Sequence, residues 1–146
     1  MKIIDTKEYV SVLKEQVEEG REAVMRIAGN SMYPFLAHER DYIAFQAPDR
    51  ELRKGDMVFF QRMDGTYVMH RICKCTPEGY YLIGDAQTQM EGPVKREQIF
   101  ARITKVQRKE KWLTNGNLLW EFFEKIWIRI IPWRRKLIRL YGIFRK

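Results

Sequence analysis

Three short segments of this chain place chemically able side chains on a strand or where a strand meets a turn. They are Gly29-Asn30-Ser31-Met32-Tyr33-Pro34, Val68-Met69-His70-Arg71-Ile72 and Leu82-Ile83-Gly84-Asp85. A serine hydroxyl attacks an amide poorly until a base accepts its proton and fixed donors meet the oxyanion. Imidazole suits that base: its intrinsic pKa of about 6.5 leaves it mostly neutral at pH 7 and predicts an activity midpoint between about pH 6 and 7.5. A carboxylate can then hold the imidazole tautomer and stabilise the imidazolium. Singly, each segment has an ordinary explanation as a loop serine, a structural histidine or a Gly-Asp turn. Together they offer a serine at a strand-to-turn junction, a histidine on a strand and acids just after the next strand.

Other polar residues read as structural. His38 falls in a polar loop and is expected at the surface, and Asp56 shapes the turn before a strand. Lys74 shares the strand face of His70 by alternation and reads as solvated, whereas Arg71 takes the opposite face and holds an acid or the fold.

The elements that must position these groups are short. Tyr9, Val10, Leu13 and Val17 recur at helical spacing up to Gly20, which predicts a helix over 7–19. Strands are predicted at 22–28, 42–46, 57–62, 67–75, 80–83 and 99–106, with Asp64-Gly65 as a hairpin turn and Pro77-Glu78-Gly79 as a second turn. The body is therefore mainly β, a small curled sheet or barrel-like fold.

Composition sets the frame. A chain of 146 residues, 45% hydrophobic and 32% charged, fits one globular body with a core of its own. No run of eighteen uncharged apolar residues predicts a membrane-spanning helix. Met1–Gly20 lacks the apolar core of a signal peptide and is expected to be retained. Cys73 and Cys75 are too close for an unstrained disulfide and too few for a zinc site, so both read as ordinary thiols, in keeping with a reducing compartment.

The ordered motifs resemble the signal peptidase type I and LexA-type peptidase group, from about Val24 to Val106. Ser31 matches that group's nucleophile, with Met32 and Pro34 as its flanking residues. His70 matches the base position, which is lysine in most bacterial signal peptidases and LexA-type repressors. Histidine there is similar to the endoplasmic-reticulum and archaeal signal peptidases. Asp85 matches the acid of the last motif, and Glu91 falls where the histidine-type enzymes carry a second aspartate.

The resemblance implies a serine endopeptidase that cuts an extended peptide segment of the signal or leader type. The substrate would add as a strand, with small side chains near the scissile bond, and no cofactor or metal is implied. The alternative is a non-catalytic or self-cleaving LexA-like regulatory domain or a membrane-attached binding module. One short helix before the motifs, rather than a DNA-reading domain, speaks against a repressor. Four departures stand out. Gly29 replaces a serine that often assists the oxyanion, which leaves that task to backbone N–H groups. The last motif reads Gly84-Asp85-Ala86-Gln87-Thr88-Gln89-Met90-Glu91 rather than an Asn-rich version. The group's usual N-terminal membrane anchor has no counterpart, and the C-terminal tail has no place in the group's core.

From Lys111 onward nine Lys or Arg stand against Glu121 and Glu124, so +7 of the net +8 lies there. Leu118, Leu119, Phe122, Phe123, Ile126, Trp127 and Ile130 form one helical stripe, Pro132 interrupts it, and Trp133, Leu137, Leu140, Tyr141 and Phe144 continue it among Arg134, Arg135, Lys136, Arg139 and Arg145. This composition predicts an interfacial helix, so the expected organisation is a peptidase domain over 1–110 and a membrane-binding helical tail over 111–146. The protein is then expected at a membrane surface, peripheral and on the cytoplasmic face. Packing on the protein's own core or a homo-oligomer contact is the alternative use of the stripe. Nucleic acid is not expected as a partner, since large aliphatic groups thread the charge and no nucleic-acid motif accompanies it.

Overall fold

Strand-forming runs punctuated by Gly, Asp and Pro fold into an open antiparallel sheet in the computed structural model, which describes residues 6–27, 29 and 31–145. Asn30 of the first motif and the side chains of Phe144 and Arg145 lie outside the described residues. The strands are β1 (Ala23–Arg26), β2 (Tyr42–Gln46), β3 (Met57–Gln61), β4 (Tyr67–Thr76), β5 (Gly79–Ile83), β6 (Glu91–Val94), β7 (Ile99–Arg108) and β8 (Lys111–Thr114). Their order is β1-β2-β7-β3-β4-β5-β6, with β8 also on β7. The mainly β class expected from sequence is the observed one, and the sheet is open rather than a closed barrel.

Helix α1 (Thr6–Glu18) lays Val10, Leu13 and Val17 into the core, and Gly20 at φ 90° follows its end. In β3 and β4, Val58 pairs with His70 and Met57 with Arg71, so those two site residues point to opposite faces. The β3–β4 loop closes as Asp64-Gly65 predicts: Gly65 takes φ 93°, and Arg62 N–H donates to Thr66 O at 2.8 Å. Both faces of β3 are covered. Met57 and Phe59 join the cluster of α1, β2 and β7, while Val58 and Phe60 pack with Ile72, Leu82 and Ile99.

The register of β4 slips between Ile72 and Lys74, leaving Cys73 as the extra residue of a bulge. The bulge breaks the alternation that would put Lys74 on the His70 face. Lys74 instead lies over the Tyr81 ring at 5.7 Å, Cys73 is buried and Cys75 is exposed.

Two strands go beyond the expected set. Strand β6 contains Gly92 and Pro93, which is tolerated because it is an edge strand. Strand β8 follows a tight turn in which Lys109 and Glu110 take φ 49° and 70°, the two-residue hairpin geometry normally carried by Asn-Gly. The boundary expected between residues 110 and 111 therefore falls at a hairpin turn inside the sheet.

The tail differs most from expectation. It is a helical turn α2 (Leu118–Glu121), a wide turn over Phe122–Ile126, tight turns over Trp127–Arg129 and Ile131–Trp133, and helix α3 (Arg134–Arg145). Asn117 caps α2, its side chain accepting from the N–H groups of Leu119 and Trp120. Trp120, Phe123, Trp127 and Ile128 are buried, the first three in the same cluster as α1 and β7. The first half of the tail packs on the protein's own core. No described helix is long and apolar enough to cross a membrane.

Candidate functional site

Ser31 opens a turn that is anchored from below. Leu36 N–H donates to Met32 O at 3.0 Å, and the buried Phe35 stacks on Phe123 at 4.8 Å and meets Trp120 edge-on at 6.1 Å. The Arg71 guanidinium lies 5.6 Å from the centre of the Phe35 ring. Upstream, Gly29 takes φ 91°, a conformation glycine adopts without strain, and its N–H donates to His38 Nδ1 at 2.6 Å. His38 is exposed as expected, yet it holds the loop that leads into Ser31. Sequence spacing gives no sign of that bond.

Ser31 lines a cavity of about 180 Å³ walled by Met25, Ile27, Ile43, Phe59 and Met69. Its main chain is pinned to the segment after β5: Ala86 N–H donates to Ser31 O at 2.9 Å. Gly84 explains the closeness, because a Cβ there would collide with the Ser31 carbonyl oxygen. Ile83, the last residue of β5, is the register partner of Arg71, and Gly84 follows directly on it. The bare glycine thus has Ser31 on the side where its own side chain would stand, at the end of the strand that pairs with the strand of His70.

His70 is 3% exposed, packs at 6.1 Å from Phe60 between ring centres, and leaves Nδ1 buried with no hydrogen-bond partner among the described residues. Buried polar atoms are normally satisfied, so such an orphan calls for an explanation. Burial pushes the His70 pKa down to about 4, opposed by the charges of Glu91 and Asp85 and reinforced by Arg62. That value lies below the window of about 6 to 7.5 expected for an ordinary imidazole. His70 borders a cleft with Arg62, Ala86, Gln87, Glu91 and Arg135. No hydrogen bond joins Ser31 to His70 among the described residues.

The acids are placed differently from the triad arrangement. Asp85 is fully buried, and both its oxygens accept from Arg71, Nε and Nη2, at 2.9 Å. Strand alternation sends Arg71 to the face that Asp85 reaches and turns His70 away, so the Asp85 carboxylate bonds Arg71 in place of the expected His70. Arg71 Nη1 also donates to Gly55 O at 2.9 Å, tying the acid to the β3 entry. Glu91 is clamped by Arg62 at 2.7 and 2.8 Å, which holds its carboxyl below the usual range. Asp56 accepts from Arg50 and from Arg53 N–H, in keeping with a turn-shaping role.

The loop after β5 has a further support that the motifs do not announce. Arg134, with none of its surface exposed, donates to Gly84 O and Gln87 O at 3.0 Å and to Trp127 O at 3.2 and 3.3 Å. Trp127 Nε1 donates to Asp85 O at 2.8 Å. Two tail residues therefore fix the backbone that fixes Ser31. Among the described residues, no three His, Cys, Asp or Glu side chains converge as metal ligands would.

No curated protein and no solved structure matches this chain. A family model does, over residues 2–106, a span that includes Ser31, His70 and Asp85 and stops short of the tail that supports them. With its mainly β sheet and its ordered serine, histidine and Gly-Asp segments, the chain belongs to the Peptidase S24-like family, whose members are serine peptidases and LexA-like domains, some of them non-catalytic.

Proposed function

We propose that the protein is a serine endopeptidase that cuts an extended peptide of the signal or leader type, with Ser31 as nucleophile and His70 as its general base. The observation that carries this reading is the seating of Ser31 against the bare Gly84, at the end of the strand paired with that of a buried histidine whose Nδ1 has no partner among the described residues. A neutral imidazole is in the state required to take a proton from the Ser31 hydroxyl and return it to the leaving amine. Asp85 acts through structure: bonded to Arg71, it fixes the loop whose Ala86 N–H holds Ser31, and its charge favours the imidazolium. Backbone N–H groups near Ser31 meet the oxyanion, Gly29 N–H being already given to His38. The apolar cavity beside Ser31 receives a side chain of the bound peptide.

Ser31→Ala tests the reading on fluorogenic peptides bearing small or apolar residues before the cleaved bond. Turnover should fall by a factor on the order of 10⁴ or more while thermal unfolding is unchanged. Undiminished turnover by the folded variant overturns it.

A second reading, a LexA-like domain that binds a peptide without cutting it, draws on the absence of a Ser31–His70 hydrogen bond and on the low basicity of His70. It expects wild type and Ser31→Ala to bind such peptides equally, with no cleavage by either.

A further inference from the structure

The inner and outer sides of α3 have different fates. Arg134 is buried, and Ile138 and Tyr141 are half-buried on the inner side, where the Tyr141 hydroxyl accepts from Arg108 at 3.2 Å and its ring meets Tyr33 edge-on at 5.8 Å. The outer side, continued from the turn just before the helix, carries Trp133, Leu137 and Leu140 at i, i+4 and i+7, exposed by 59%, 38% and 49%. This stripe faces solvent although the helix itself is docked. Exposed Arg129, Arg135, Lys136 and Arg139 flank it, with Lys136 Nζ 5.5 Å from the Trp133 ring centre. Beyond Glu124 the sequence has eight Lys or Arg and no Asp or Glu.

We propose that this outer face of α3 binds an anionic lipid surface, with Trp133, Leu137 and Leu140 entering the headgroup boundary and the flanking cations meeting lipid phosphates and carboxylates. Charge complementarity selects this occupant. A second copy would bring the same cations against these, and nucleic acid would leave Leu137 and Leu140 in water. Large aromatic and aliphatic groups between bases are the arrangement an interface rewards twice, through apolar burial and through lipid charge. Arg135 also borders the His70 cleft, so a lipid face here brings that cleft to the membrane surface.

The test is co-sedimentation of the full chain with phosphatidylcholine vesicles, pure or containing about one third phosphatidylserine. Binding should require phosphatidylserine and weaken steeply with added salt. Replacing Arg129, Lys136 and Arg139 by Gln should lower vesicle partitioning about a hundredfold, roughly fivefold per charge. Trp133→Ser with Leu137→Ser and Leu140→Ser should abolish it. All six positions are exposed, so both variants should keep the wild-type unfolding temperature. Equal binding to both vesicle types, no binding by the wild type, or undiminished binding by either variant overturns the proposal. So does a wild-type dimer that the serine variant dissociates, which would assign the stripe to a second copy. Tight binding to single-stranded RNA in place of vesicles would assign the cations to phosphodiesters. None of these readouts depends on peptide cleavage, so the peptidase reading stands or falls separately.

Discussion

A histidine 3% exposed with a pKa near 4 is neutral across the physiological range, so the pH behaviour of His70 differs from that of a solvated imidazole. If His70 is the base, kcat/KM should be flat through neutral pH and half-maximal near pH 4, as a pH–rate profile will show. A midpoint near 6.5 would mean that a different group, or an exposed His70, governs the rate. Stability carries the same signature. Between the unfolded pKa of about 6.5 and the folded one, the unfolded chain binds more protons, so stability is lost as pH falls through that window. The loss amounts to about 3 kcal/mol once pH drops below the folded value. Urea unfolding at pH 7 and at about pH 4.5 should show most of that loss in the wild type and a clearly smaller one in His70→Gln. The candidate residues themselves were legible, because Ser31, His70 and Asp85 stand in ordered motifs. Their partners were not: Asp85 reaches Arg71 because of which strand face each occupies, and the acidic shift of His70 comes from burial that no local spacing encodes.

At the scale of elements, strands β2, β4 and β7 could be read as short runs bounded by turn residues, and the Asp64-Gly65 turn from its residue pair. The edge strand β6 and the hairpin strand β8 could not, since Pro93 and the Lys109-Glu110 turn break the usual composition rules. The tail was legible as helical but not as core, because an apolar stripe at helical spacing looks the same whether it meets lipid or Phe35. Its role at the site follows from Trp127 and Arg134, which hold the carbonyls of Gly84, Asp85 and Gln87. Trp127→Phe keeps the ring and removes the Nε1–H, leaving the Asp85 carbonyl without that donor at a cost of about 1–3 kcal/mol. The loop should then sample more conformations, and since sub-ångström placement of a nucleophile governs rate, kcat should fall roughly tenfold with KM unchanged. Amide hydrogen exchange at Ala86 should accelerate in the same variant. A variant that loses stability but keeps both kcat and slow Ala86 exchange would show that Trp127 supports the core alone.

At the scale of the whole molecule, charge and packing divide the chain differently. By charge, the segment beyond Glu110 stands apart, holding +7 of the +8, and the family match likewise ends at residue 106. By packing, the division disappears. Trp120 and Phe123 bear directly on Phe35 beneath the Ser31 turn, Trp127 and Arg134 hold the carbonyls of Gly84, Asp85 and Gln87, and β8 completes the flank of β7. Burying Trp120, Phe123, Trp127 and Ile128 contributes about 1.5–3 kcal/mol each relative to exposure, a total comparable with the roughly 5–15 kcal/mol that stabilises an ordinary domain. Removing them would also take away the Trp127 bond to the Asp85 carbonyl. A chain ended after Thr114 should therefore lack a cooperative urea transition at 25 °C, while the full chain shows one. Far-UV circular dichroism along a urea titration decides the matter. A sigmoidal transition in the shortened chain, with a slope appropriate to its length, would establish that residues 1–114 fold alone and that the tail is an appendage to a finished domain.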